Sequence, residues 1–527
     1  MKKEWDKTLL LEKSKKSLHR LIFGRTLLIV TSFFIQFLLL FFLFYKFNSH
    51  IVTSISSYFF ATLILELIII NKEGNPSMKI SWIVITLFLP VVGSMLYLYV
   101  QLNVDGRLID KRMTEMYDLS KQYVLPDSQT QQDLLKDSPS VSNLAFYLSQ
   151  NGNYQVYRNT KVTYFSSGEK KFEEMLHQIE KARKFIFLEY FIISEGYMWG
   201  RILKLLEEKV RQGVEVRVLY DGFNSLTYLP VNYYKKLQKL GIQCKVFLPI
   251  HPVFSTTYNN RDHRKVLVID GHTGFTGGVN LSDEYINEKK RFGYWKDSAL
   301  MLQGEAVQGL TQMFLQMWNI TEKEPVFEKY LDLKLNHFRG TLPLSSGYVI
   351  PFADSPLDKE PVGKMVYLDL INRAERYVHI MTPYLVLDHA MMEALCYAAK
   401  RGVDVKLILP HIPDKKYVFA MAKTHYPELM RSGVKIFEFI PGFVHAKGIV
   451  VDDKKAMVGT INLDYRSFYL HFEDAVLLFQ VPQIQEIEQD MQDTIAQSLQ
   501  ITEGNLKKES IFTRLTGVLL KILAPLM

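Results

Sequence analysis

The chain has 527 residues, of which 48% are hydrophobic, 13% aromatic and 22% charged. That composition excludes a disordered chain, which needs low hydrophobicity and high charge. Two cysteines, Cys244 and Cys396, exclude a disulfide framework or a cysteine-rich metal site. The net charge of +8 is uneven: residues 1–20 carry +4 and residues 501–527 carry +2. Basic charge beside apolar segments points to anionic lipid or to membrane topology, and the near-neutral middle lacks a nucleic-acid footprint.

After the basic tail, residues 21–45 are almost wholly apolar, with Arg25 and Gln36 as exceptions. Two further apolar runs cover 51–70 and 80–100. Each is long enough to span a bilayer, so a membrane anchor of three spans is expected over 21–103. A signal peptide is the alternative for the first run, but the run is too long and no small-residue cleavage site follows. A buried core helix is the alternative for any one run, though not for three in succession. Trp82, Tyr97 and Tyr99 lie near the ends of the third, where amphipathic rings favour the interface. With the basic tail and the Lys72–Lys79 loop in the cytoplasm, three spans place the rest of the chain on the extracytoplasmic face. Residues 104–150, rich in Gln, Asp and Ser, read as a linker or a small packed element.

The next stretch is duplicated. Phe185-Ile-Phe-Leu-Glu-Tyr190 is followed by an amphipathic pattern over 202–210 and then Gly213-Val-Glu-Val-Arg-Val218. Tyr377-Val-His-Ile-Met-Thr-Pro-Tyr384 is followed by a similar pattern over 391–399 and then Gly402-Val-Asp-Val-Lys-Leu407. Each copy reads strand, helix, glycine stop, strand, which implies parallel sheet covered by helices. The repeat predicts two lobes packed face to face.

Each copy ends in the same spacing, H-x-K-x4-D: His263, Lys265 and Asp270, then His445, Lys447 and Asp452. Glycine turns and an asparagine follow, with Gly277, Gly278 and Asn280 matching Gly459, Thr460 and Asn462. An ordinary β-hairpin explains either motif alone, and it explains the aspartates. Position seven has opposite parity to the histidine, so Asp270 and Asp452 belong at the turn, as motif members outside the site. Histidine and lysine two apart on a strand share a face. A pseudo-twofold would bring two histidines, two lysines and two asparagines together, a set suited to a phosphodiester. Lys265, Lys447, Asn280 and Asn462 can hold the non-bridging oxygens. One histidine can attack phosphorus and the other can serve as acid and base. Asp297 and Glu473 are candidates to orient the histidines, with a surface ion pair as the alternative for each. No metal is required, and no cofactor is called for.

These motifs resemble the phospholipase D superfamily. Leu188-Glu-Tyr-Phe191, Leu219-Tyr-Asp-Gly222, Tyr294-Trp-Lys-Asp297, Pro441-Gly-Phe-Val-His-Ala-Lys447 and Gly459-Thr-Ile-Asn-Leu-Asp-Tyr-Arg-Ser467 narrow the resemblance to bacterial cardiolipin synthases, over roughly residues 75–527. The resemblance implies an α/β fold: two duplicated phospholipase D-like α/β/α lobes over 151–335 and 336–505, preceded by transmembrane helices. It implies transphosphatidylation at a cell membrane. Phosphatidylglycerol is donor and acceptor, glycerol leaves, His263 is nucleophile and His445 acid/base. Family members commonly have two amino-terminal spans, so the segment 21–45 is additional. The alternatives are a phospholipase D hydrolase, another phosphatidyltransferase of the superfamily, a superfamily nuclease, or a non-catalytic lipid-binding membrane protein.

The last segment has Ile511, Leu515, Leu519, Ile522 and Leu523 at helical spacing beside Arg514 and Lys521. It reads as an amphipathic helix in the membrane interface, with a core-packing helix as the alternative. Aromatic loops at 223–234 and 251–258 are candidates to line lipid entry.

Overall fold

The computed structural model describes residues 38, 51–101, 104–249, 259–331, 346–358 and 360–526. The basic tail, the first expected span and the loop 251–258 lie outside the described residues.

Four helices open the described chain: α1 (Ile51–Asn71), α2 (Pro76–Phe88), α3 (Pro90–Gln101) and α4 (Val104–Lys121). The expected third span is not one helix. Pro90 disfavours helical backbone at Leu89, which sits at φ −127° and ψ 66°. The chain then folds back on itself. Trp82 meets Tyr97 edge-on at 5.4 Å between ring centroids. A Cβ on Gly93 would lie 2.7 Å from the Ile85 carbonyl oxygen, so only glycine allows the approach. Lys72 at the end of α1 donates to Gln101 at the end of α3. At 1.5 Å per residue, α2 and α3 are each only about 20 Å long. Over the described residues no helix is long and apolar enough to cross a membrane. Between α1 and α2, Thr86 donates to the Glu66 carboxylate at 2.5 Å.

Residues 104–150 form three helices, and Met113, Met116, Leu134, Leu144 and Leu148 are buried in the main core. The first lobe follows with β1 (Thr160–Phe165), β2 (Phe185–Tyr190), β3 (Glu215–Asp221), β4 (Gln243–Phe247), β5 (Arg261–Asp262), β6 (Lys265–Ile269), β7 (Thr273–Gly277), β8 (Tyr294–Lys296) and β9 (Ala299–Gly304). The second has β10 (Tyr348–Asp354), β11 (Tyr377–Met381), β12 (Leu385–Val386), β13 (Asp404–Pro410), β14 (Lys435–Phe439), β15 (Gly442–Val444), β16 (Gly448–Val451), β17 (Lys455–Gly459), β18 (Leu463–Asp464), β19 (His471–Phe479) and β20 (Ser498–Gln500).

The two main sheets have the same order. The first runs β1-β9-β7-β6-β2-β3-β4, and the second β10-β19-β17-β16-β11-β13-β14 with β20 at its edge. Strand–helix alternation predicts parallel pairing, and β2-β3-β4 and β11-β13-β14 are parallel. The other half of each sheet is antiparallel, because the H-x-K segments return as hairpins β6-β7 and β16-β17. The class is therefore α/β with mixed sheets. Helices Tyr197–Arg211 and His389–Lys400 each bury one apolar face and stop before a glycine at positive φ, Gly213 at +86° and Gly402 at +93°. All thirteen residues of helix Val307–Asn319 are buried, and one core cluster draws residues from both lobes.

Three further helices matter below: α5 (Lys416–Arg431), α6 (Glu503–Lys507) and α7 (Ile511–Leu523). α7 keeps its apolar residues outward. Ile511 is 83% and Phe512 79% exposed, while Gly517 is buried against α5. Its carboxyl end touches the hairpin, where Ser81 donates to the Ile522 carbonyl at 2.6 Å.

Asp270 and Asp452 sit in the hairpin turns at φ 52° and 54°. The Asp270 carboxylate accepts from the backbone amides of Arg183, Lys184 and Phe185 at 2.6–2.8 Å. Asp452 accepts likewise from Glu375, Arg376 and Tyr377 at 2.8–2.9 Å. Each aspartate pins its turn to the start of the first parallel strand. We expect Asp270→Ala to cost about 2–3 kcal/mol, the scale of lost charge-assisted hydrogen bonds. The measurement is a lowered thermal midpoint with unchanged specific activity in the fraction still folded.

Candidate active site

Neither histidine lies within a strand. His263 falls between β5 and β6, and His445 between β15 and β16. Two short parallel ladders between the lobes fix these segments. β5 pairs with the start of β19, and β15 pairs with β8. The His263 amide donates to the Phe472 carbonyl at 2.9 Å, and the His445 amide to the Lys296 carbonyl at 2.7 Å.

The orienting carboxylates are exchanged between lobes. Nδ1 of His263 lies 2.8 and 3.0 Å from the two oxygens of Glu473. Nδ1 of His445 lies 2.8 Å from Oδ2 of Asp297. Both carboxylates are fully buried. With Nδ1 engaged, the Nε2 atom of each ring is the one left for chemistry. Gly278 is required beside this contact, since a Cβ there would lie 2.0 Å from Oδ1 of Asp297. The lysines are buried too: Lys265 donates to the His263 carbonyl, and Nζ of Lys447 lies 3.0 Å from Nε2 of His445.

Burial dominates the electrostatics. Desolvation, reinforced by Lys265, holds His263 well below its usual value, and desolvation with Lys447 brings His445 down to about 4. Both rings are neutral at pH 7. Desolvation also pushes Lys447 down to about 7 and Lys265 to about 8, against the nearby carboxylates that favour the cations. Asp297 stays ionised: burial opposes its charge, but His445 and Lys447 outweigh it.

The structure thus brings His263, Lys265, His445, Lys447, Asp297 and Glu473 together, and leaves Asp270 and Asp452 at the turns. The asparagines are partly committed. Asn280 accepts from the Ile192 amide at 3.0 Å and donates to the Tyr285 hydroxyl at 2.8 Å. Asn462 donates to Ser467 at 3.0 Å, and its carbonyl oxygen is buried without a partner among the described residues. The aromatic stretch at 223–234 is partly structural, since Trp199 donates to the buried Tyr233 hydroxyl at 2.7 Å.

Sequence reasoning missed His471. Its ring lies 5.2 Å from that of His263, and its Nδ1 is 3.4 Å from Glu473. Trp295 holds the corresponding place, 5.3 Å from the His445 ring. Both stand two residues before the orienting carboxylate, which was the available signal. His263, His471 and Glu473 have donor atoms within 4.8 Å of one another, close enough for a metal ion. That set would use the same His263 and Glu473 atoms as the imidazole–carboxylate contact.

Two like-folded lobes that share paired histidines and lysines at their junction define a phospholipase D-type site. The family description "Cardiolipin synthase, PLD-like domain" matches residues 175–318 and 367–495, and "Phospholipase_D-nuclease N-terminal" matches residues 60–100. "Cardiolipin synthase 2" of Bacillus cereus is 31% identical over 479 residues, covering 89% of this chain and 90% of the relative. A "Cardiolipin synthase" of a Geobacillus species is 33% identical over 472 residues, covering 89% and 92%. The crystal structure of a phosphatidylserine synthase of Haemophilus influenzae shares the fold at TM-score 0.53 and 16% identity, covering 74% of this chain and 98% of that one. The chain belongs to the cardiolipin synthase family of phospholipase D-like proteins, and it is a phosphatidyltransferase.

The lysine shifts give a pH dependence. If the lysines hold a phosphate they do so in their charged form, and that form is lost as pH rises through about 7 to 8. The depressed histidines stay neutral well below their ordinary value of about 6.5, His445 until the pH approaches about 4. We expect kcat/KM in mixed micelles to fall on the alkaline side between pH 7 and 9 and to hold at about pH 6.5. A profile still rising at about pH 9 would contradict this charge assignment.

Proposed function

We propose that the enzyme makes cardiolipin from two molecules of phosphatidylglycerol through a phosphohistidine. The carrying observation is the cross-lobe pairing of each histidine Nδ1 with a carboxylate, which leaves two Nε2 atoms at one junction. In the first step Nε2 of His263 forms a bond to phosphorus, and the bond from phosphorus to the glycerol oxygen breaks. His445 gives its Nε2 proton to that oxygen, and glycerol leaves. In the second step the hydroxyl of another phosphatidylglycerol loses its proton to His445. Its oxygen bonds to phosphorus as the phosphorus–nitrogen bond breaks. Charged Lys265 and Lys447 hold the non-bridging oxygens where negative charge grows. His445 is neutral in the free protein, so the anionic phosphodiester must restore its proton affinity on binding. Asn280 and Asn462 assist with what remains of their amide capacity.

The test is incubation of the purified protein with phosphatidylglycerol vesicles, with a metal chelator present, and mass spectrometry of the lipids. Cardiolipin and equimolar glycerol are expected. Phosphatidic acid alone would make water the acceptor. Loss of activity with chelator would direct attention to the His263–His471–Glu473 cluster. His263→Ala and His445→Ala are each expected to lower turnover by roughly 10³-fold or more.

The same reading places the protein at a membrane, held by α1, the α2–α3 hairpin and the outward apolar face of α7. Because the hairpin folds back, the chain leaves it on the side where it entered, beside Lys72 and Lys79. The three-span count that puts the lobes outside therefore does not apply. Basic loop residues favour the cytoplasm, so we place the lobes there. Cys244 and Cys396 are buried, which leaves a quiet background for labelling. Cysteines introduced at Glu73 and at Lys161 are expected to react with an impermeant maleimide in inside-out vesicles and not in intact cells. Labelling from opposite sides would refute the hairpin topology.

A further inference from the structure

A cavity of about 540 Å³ lies between α5, α6 and α7, and no residue of the catalytic centre lines it. α7 crosses α5 where Gly517 meets Ala420; a Cβ at 517 would lie 2.4 Å from the Ala420 carbonyl oxygen. On the Arg431 side of this crossing the helices leave space between them. Met430, Leu506 and Val518 give the space apolar walls.

Its rim is basic. Four cations line it against two carboxylates, Glu503 and Glu509. Lys423 is paired with Glu509, and Arg514 donates to the Leu506 carbonyl. Arg431 and Lys507 are exposed, and no hydrogen bond or ion pair to another described residue engages them. The volume falls within the range of sites that bind small ligands. Apolar walls under surface cations fit an anionic amphiphile, such as a phosphate group attached to acyl chains.

The surroundings say where such a molecule comes from. α7 turns Ile511, Phe512, Leu515 and Leu519 outward, and no described residue covers them. Its carboxyl end is bonded to the hairpin at Ser81. The cavity mouth therefore opens beside a continuous apolar surface that a bilayer would face. Basic residues at such a surface gain affinity from anionic lipid.

We propose that this cavity is a second phospholipid site, distinct from the catalytic centre, that holds an anionic phospholipid of the bilayer. The phosphate sits between Arg431 and Lys507, and an acyl chain runs along Met430 and Val518. The source of the ligand rests on the membrane placement above; the binding itself does not rest on the catalytic reading. A lipid held here would fasten α7 to the membrane beside the second lobe.

The test uses the full chain in detergent micelles with phosphatidylglycerol carrying a photoreactive diazirine on one acyl chain. After irradiation, the label is mapped to peptides. Label is expected within 416–431 or 503–518, and the double variant Arg431→Glu, Lys507→Glu should lower it roughly tenfold. Excess unlabelled phosphatidic acid should displace the probe, while phosphatidylcholine and inorganic phosphate should not. Val518→Trp, which fills the cavity and keeps every charge, should also remove the label. His263→Ala should retain it, which separates this site from the catalytic one. Absence of label, label indifferent to both variants, or equal displacement by phosphatidylcholine would overturn the proposal. Displacement by inorganic phosphate would overturn it too, by making the site one for free phosphate.

Discussion

The exchange of carboxylates between lobes is the contact on which the site depends. Glu473 and Asp297 are fully buried. A buried carboxylate without a partner is costly enough that a fold avoids it or neutralises it. Each finds its partner in an imidazole of the other lobe. Neither lobe can therefore supply the carboxylate partner of its own motif histidine. The short ladders β5–β19 and β8–β15 place the backbone beside each histidine, and the shared core behind them holds the ladders in register. Packing at the lobe junction and chemistry at the site are the same interaction seen at two scales.

The low-dielectric setting that makes those pairs necessary also tunes the cations. Lys265 and Lys447 lie among carboxylates that favour their charge, yet burial still brings both down. The free site is thus rich in neutral bases and weakly held protons. An anionic phosphodiester entering it would restore the charge on groups that burial has depressed. That response needs the substrate, so the strongest favourable electrostatics appear only when the phosphate is in place.

The repeated text of the sequence carried much of this. Duplicate strand–helix–strand patterns foretold two lobes of equal strand order, and residue parity put Asp270 and Asp452 at turns. The crossing of the carboxylates was not legible. His263 and Glu473 are 210 residues apart, and His445 and Asp297 are 148 apart. The sequence left open which histidine each acid serves, and the fold gives each acid the farther one. Strand–helix alternation spoke only for the parallel half of each sheet, because the hairpins that carry the motifs add antiparallel strands. The third apolar run misled for another reason. Hydropathy averages over a window and is blind to backbone, while Pro90 and Gly93 decided the path there. His471 stood in plain view but without a motif partner, since its mate in the other half is a tryptophan.

That mismatch bears on which histidine attacks. The halves agree in sheet order and motif spacing, so a sequence cannot distinguish them. Their carboxylates do differ. Both oxygens of Glu473 face His263, whereas Asp297 gives one oxygen to His445 and the other to the Ser298 amide at 2.9 Å. A carboxylate whose charge is not shared with a backbone amide polarises the Nδ1–H more strongly and raises the electron density at Nε2. His471 adds a second imidazole beside Glu473, where the other half offers only an indole face. Nζ of Lys447 lies 2.8 Å from Nδ1 and 3.0 Å from Nε2 of His445, so that lysine singles out neither nitrogen. On the proposed mechanism, the carboxylate difference would favour His263 as the nucleophile and His445 as the carrier of the proton. A duplicated fold with identical halves would have two equivalent attackers, so any division of labour must come from departures from symmetry such as these.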